Sequence, residues 1–146
     1  MRVLLVEDHI DIRRLFEQVI EARGHDVTAC ADGESAWEAY SRRPYELVLL
    51  DWELRGGGMD GLQVCRTIRS SPGGDRCVIV MITGHDSPES LRTALQAGVN
   101  DYLVKPVEPA RLAETVARLK DRLRASQPAL ITEALLAAYP TAVVLG

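Results

Sequence analysis

Five short apolar runs, each followed by a stretch with helical spacing, repeat along this chain. That alternation restricts the fold more than any other feature. Arg2–Val6 opens as a β-like run, after which Ile12, Leu15, Phe16, Val19 and Ile20 share one helical face and Gly24 marks a stop. Asp26–Cys30 is a second strand, Asp32-Gly33 a turn, and Glu34–Arg43 a helix ended by Pro44. Glu46–Leu50 (ELVLL) forms a third strand that delivers Asp51; the Arg55-Gly56-Gly57-Gly58 stretch is a loop, and Gly61–Arg69 a helix with Leu62, Val64, Cys65 and Ile68 on its apolar face. After a Ser70–Gly74 loop, Cys77–Ile82 is a fourth strand, Pro88–Ala97 a helix closed by Gly98, Asp101–Val104 a fifth strand, and Pro109–Arg124 a final helix.

The fourth run, CVIVMI, is apolar without alternation, so both of its faces are buried, as in a parallel sheet. Parallel strands need crossovers, and right-handed crossovers place helices on both sides. The expected architecture is α/β, a doubly wound five-stranded parallel sheet in the flavodoxin-like order 2-1-3-4-5. The 146 residues suffice for one such domain and a short appendage. With 47% hydrophobic and 26% charged residues, disorder is excluded. A net charge of −4 gives no broad basic face for nucleic acid or anionic lipid. No run has the length of a membrane span, and the N-terminus lacks the pattern of a signal peptide. Cys30, Cys65 and Cys77 form no C-x-x-C pair and suit a reducing cytoplasm, the expected location.

In a doubly wound sheet, ligands sit beyond the carboxyl ends of the strands. Strand 1 delivers Glu7 and Asp8 there, strand 3 Asp51, strand 4 Thr83 and Gly84, and strand 5 Lys105 followed by Pro106. Taken singly these are ordinary: a strand-end Asp usually caps a helix or shapes a turn. Together they are not. Three acids close together repel by roughly 4 kcal/mol per pair at about 4 Å and an effective dielectric of about 20. Such a cluster calls for a divalent cation, and hard oxygen ligands suit Mg²⁺.

The stretches LLVEDH, ADGESAWE, LVLLDWEL, MDGLQVCRTIR, VIVMITG and AGVNDYLVKPV resemble successive signatures of the response-regulator receiver family, over residues 1–124. The resemblance implies a phosphoacceptor switch of a two-component system. Asp51 matches the acceptor, which takes a phosphoryl group from the phosphohistidine of a histidine kinase or phosphotransfer protein. Glu7 and Asp8 match the acid pair that holds Mg²⁺, with Asp51 and the backbone carbonyl of Glu53 as further ligands. Lys105 matches the lysine that pairs with the phosphoryl oxygens, Thr83 the hydroxyl that moves toward them, and Tyr102 the aromatic switch residue. Pro106 matches a proline preceded by a cis peptide bond. Glu53 and His85 match positions flanking the path of attacking water. The expected activity is self-phosphorylation and self-dephosphorylation only, and the face of the fourth and fifth helices, or the tail, is the expected homodimer surface.

The chain departs from the family where Arg55 replaces the usual proline four residues after the acceptor and three glycines make the loop look two residues long. The tail, 125–146, lies outside the pattern: Ser126-Gln127-Pro128 reads as a linker, Ala129–Ala138 as a helix and Thr141–Leu145 as a strand, and together they resemble the start of a PAS-type sensory domain. The alternatives are a receiver cut from a hybrid sensor kinase or multidomain regulator, and a phosphatase of the haloacid-dehalogenase type. The second would have Asp-x-Asp where this chain has Asp51-Trp52-Glu53. A dinucleotide-binding module would need glycines where this chain has Glu7-Asp8-His9.

Overall fold

In the computed structural model, residues 1–124 are described. The strands are β1 Arg2–Val6, β2 Asp26–Cys30, β3 Leu47–Asp51, β4 Val78–Thr83 and β5 Asp101–Val104. They alternate with helices α1 Ile10–Glu21, α2 Gly33–Arg42, α3 Gly61–Ser70, α4 Pro88–Ala97 and α5 Pro109–Arg124. All pairings are parallel, in the order β2-β1-β3-β4-β5. This is the doubly wound sheet expected from the alternation. The chain divides into two compact units, Met1–Glu114 and Thr115–Gly146. The first holds the whole sheet; the described part of the second is the remainder of α5. The expected linker, helix and strand of the tail lie outside the described residues.

Every residue of β3 is buried, as a central strand covered on both faces requires. Leu4, Val6, Val48, Leu50, Ile79 and Met81 pack in one cluster with Ala36 and Tyr40 of α2, Val64, Cys65 and Ile68 of α3, and Ala94 and Ala97 of α4. Val3, Leu5, Leu47, Leu49 and Val80 alternate with these and are also fully buried, as are Phe16 and Ile20 of α1. Helices α2, α3 and α4 begin at side-chain caps. Asp32 accepts from the Ser35 N–H, Asp60 and Gln63 form a reciprocal capping box, and Ser87 accepts from the Ser90 N–H ahead of Pro88. Gly98 closes α4 at φ +110°.

Arg69 fastens the far end of the sheet. Its guanidinium donates to the carbonyls of Gly74, Cys77 and Gly98 and to Asn100 Oδ1, which also accepts from the Ile79 N–H. One planar fork thus ties α3 to the segments flanking β4 and β5.

Two strands are shifted by one residue from expectation, starting at Leu47 instead of Glu46 and at Val78 instead of Cys77. β3 runs to Asp51 instead of Leu50, and β4 to Thr83 instead of Ile82. The ladder is a backbone property: Asp51 pairs with Ile82 and Thr83 with Val104, although the end of the apolar run suggested an earlier stop. Helix α2 starts one residue earlier than expected because Asp32 caps it directly, and it ends one residue earlier, at Arg42; α3 runs one residue further than expected, to Ser70.

Candidate functional site

The carboxyl ends of β1, β3, β4 and β5 bring the singled-out residues together. Glu7 follows β1, and Asp51 and Thr83 are the last residues of β3 and β4. Lys105 follows β5, its N–H bonded to the Thr83 carbonyl at 2.8 Å, and the Lys105–Pro106 bond is cis. Helix α3 closes tightly against this end. The Gly61 N–H donates to the Trp52 carbonyl at 2.8 Å, and a Cβ on Gly61 would stand 2.2 Å from the Asp51 carbonyl oxygen. Only glycine fits there.

Glu7, Asp8 and Asp51 each offer a carboxylate oxygen within 4.8 Å of the others. Glu7 and Asp51 are only 2% exposed. The Lys105 ammonium donates to Asp51 Oδ2 at 2.9 Å and lies 3.5 Å from Glu7 Oε1. Three further oxygens accept from backbone N–H groups. Asp51 Oδ1 accepts from the Glu53 N–H at 3.1 Å, Glu7 Oε2 from the His9 N–H at 3.1 Å, and Asp8 Oδ2 from the Arg55 N–H at 3.1 Å. Arg13 reaches back from α1 to the carbonyls of Glu7 and Asp8.

Two cations face three carboxylates, Lys105 on Asp51 and Glu7 and the exposed Arg55 on Asp8, so the cluster is short of positive charge. Burial, together with hydrogen bonding and repulsion from Asp51, pushes the Glu7 carboxyl up to about 7. Asp8 goes the other way: burial opposes its ionisation, but the Arg55 N–H and charge and the bond with Glu7 outweigh it and hold it below the usual range. Lys105 is likewise discouraged by burial, yet Asp51 and Glu7 keep its ammonium above its ordinary value. Clustered hard oxygen donors, one kept from ionising by crowding, fit a divalent cation of the Mg²⁺ class.

This crowding carries a prediction. Glu7 releases its proton near pH 4.5 in the unfolded chain and near 7 in the fold. Its contribution to stability is therefore complete below pH 4.5 and lost as pH rises through 7. Metal-free protein should lose roughly 2 kcal/mol, or roughly 5–10 °C in melting temperature, between pH 5 and 8 from this group. Glu7→Gln should flatten that fall, and Mg²⁺ at pH 8 should reverse it. A profile equally steep in the variant would refute the assignment.

Thr83 is fully buried, and its hydroxyl accepts from the His85 N–H at 3.1 Å. The half-buried Tyr102 donates its hydroxyl to the His85 carbonyl, and burial, with the charge of Asp86, holds that hydroxyl above its ordinary value. Just past the ends of β3 and β4, His85 Nε2 meets Glu53 Oε1 at 2.7 Å, and the Trp52 ring lies 5.0 Å from the His85 ring. This bridge between the ends of β3 and β4 left no mark in the residue spacing, nor did the contact of Arg55 with Asp8. Both join loops distant in sequence. Among the described residues no helix is long and apolar enough to cross a membrane.

Residues 3–117 match the family model described as the response regulator receiver domain. The chain is 33% identical over 134 residues to the response regulator RppA of Synechocystis, a match covering 90% of the chain and 56% of that protein. It is 35% identical over 123 residues to the DNA-binding response regulator MtrA of Mycobacterium tuberculosis, covering 84% and 50%. The chain thus spans about half the length of these curated relatives. Among solved structures, the CheY-like receiver domain protein of Methanospirillum hungatei superposes with a TM-score of 0.75 at 27% identity, covering 86% of this chain and 98% of that one.

Proposed function

This chain belongs to the response regulator receiver domain family, and from that membership we propose that Asp51 is the acceptor through which it works. As a receiver domain it is a phosphoacceptor switch of two-component signalling and falls in no classical enzyme family. The observation that carries the assignment to Asp51 is its buried carboxylate, 2.9 Å from the Lys105 ammonium and grouped with Glu7 and Asp8.

An Asp51 oxygen attacks phosphorus as the bond from phosphorus to the histidine nitrogen of a kinase breaks. Acetyl phosphate would serve as a small surrogate donor, giving acetate and a weak self-phosphorylation. The transition state is loose, with charge spread over the peripheral oxygens. Mg²⁺, held by Glu7, Asp8, Asp51 and the Glu53 backbone carbonyl, would supply charge neutralisation there. Lys105 supplies the second positive group: the ammonium now on Asp51 Oδ2 transfers its hydrogen bond to a phosphoryl oxygen. Thr83 exchanges the His85 N–H for the phosphoryl group, and Tyr102 turns in as that contact is released.

His85 pairs with Glu53 and lies against Trp52, just past the acceptor and Thr83, and in this reading these residues set the lifetime of the aspartyl phosphate. Glu53→Ala should shorten that lifetime severalfold by admitting water; an unchanged decay would remove these residues from the mechanism. Three buried free thiols support a reducing, cytoplasmic setting. The exposed Leu91 and Leu95 of α4 and Val104 of β5 support self-association through that side.

The direct test is chemical. Protein incubated with acetyl phosphate and Mg²⁺ and reduced with borohydride should carry homoserine at position 51 by mass spectrometry. Homoserine elsewhere, or none, overturns the assignment.

A further inference from the structure

The loop after the acceptor brings a second cation to the acidic cluster. Gly56 and Gly57 adopt φ of +105° and +76°, conformations that L side chains rarely take. The chain enters this turn with Arg55 facing Asp8. The Arg55 N–H donates to Asp8 Oδ2 at 3.1 Å, and its guanidinium Nε lies 3.8 Å from the same oxygen. The Arg55 side chain is otherwise exposed, whereas that of Asp8 is 19% exposed. Asp8 Oδ2 therefore accepts one hydrogen bond from Arg55 and forms a longer ion pair with the same residue, on the carboxylate least buried of the three.

We infer that Arg55 is a built-in competitor of the divalent cation: it occupies Asp8 in the metal-free site and so sets the cation affinity of the switch. Entry of the cation requires the guanidinium to withdraw, and the glycines that follow Arg55 give it room. Lys105 differs in kind, since it sits on the acceptor side, on Asp51 and Glu7. Removing Arg55 therefore leaves the acceptor's own partner in place. The inference rests on the Mg²⁺ reading of the cluster and adds to it a residue that opposes binding.

The two ideas separate in a titration with MgCl₂ alone at low ionic strength, with no phosphodonor, read by melting temperature and tryptophan fluorescence. Arg55→Ala should bind Mg²⁺ about three- to fivefold more tightly than the native chain, as expected for loss of one exposed ion pair. Arg55→Glu should bind about tenfold more tightly. Arg55→Lys should stay within about twofold, and the differences should shrink in high salt. Native protein that responds to Mg²⁺ while Arg55→Ala binds equally or more weakly overturns the inference and leaves the metal reading standing. Native protein with no response to Mg²⁺ overturns both.

Discussion

Asp51→Asn should take up no phosphoryl group from acetyl phosphate and give no response to beryllofluoride, a loss of roughly 10³-fold or more. An amide of nearly the same shape keeps the packing but has no nucleophilic oxygen of comparable strength. The variant should also fold well. Asp51 and Glu7 share a single lysine beside Asp8, and after the substitution Lys105 keeps Glu7 at 3.5 Å as a partner. Without metal, removing one negative charge should raise the melting temperature by a few degrees and bring the Glu7 carboxyl back toward 4.5. The slope of stability between pH 5 and 8 should then become shallower. Retained labelling at full rate, measured by mass, would end the assignment of Asp51; unchanged melting and pH slope would show that the carboxylates do not repel.

Lys105→Ala should move stability in the opposite direction. Asp51 and Glu7 are buried, and this ammonium bridges them. Removing one partner of a buried charge group is costly, but the Lys105 side chain is about one third exposed. The expected loss in metal-free protein is therefore about 2 kcal/mol, below the full value for an enclosed pair. Phosphorylation should slow by about 10²-fold, since one of two positive groups facing the transferred oxygens is lost. The phosphorylated fraction should show little change in the Tyr102 environment by NMR, because in the proposed mechanism Lys105 draws the phosphoryl group toward the strand that carries Tyr102. A variant that labels at the native rate and still shifts Tyr102 would exclude Lys105 from the switch. Opposite signs for the two variants in metal-free melting would identify a cluster deficient in cations, which neither variant alone could do.

The sheet was legible because its apolar runs are short, continuous and spaced by helical patterns, so helices on both faces followed from crossover geometry and the order 2-1-3-4-5 from the common flavodoxin-like arrangement. Positions 7, 8, 51, 83 and 105 were legible for the same reason: each stands at a strand end, and parallel strands bring their carboxyl ends to one side. Strand limits at Asp51 and Thr83 were harder to read, because a polar residue closing an apolar run can pair in the ladder as well as leave it. What lay beyond the sequence were loop-to-loop contacts. His85 with Glu53, Arg55 with Asp8 and Arg69 with four acceptors join segments whose separation has no period. The Arg55 position was marked as unusual by its glycines, but its partner depends on the direction of a turn with positive φ, which residue types alone do not give.

Asp51 and Thr83 each terminate a strand bonded along its length to its neighbours, and both are enclosed. If Asp51 is the acceptor as proposed, the trigger is mounted on strands paired on both sides. A charge added at Asp51 has little compliance beneath it, so displacement is channelled outward into the segments that leave the strand tips. Those segments can diverge in length and chemistry while the bed stays fixed, which lets one trigger serve unlike readouts without retuning its seat.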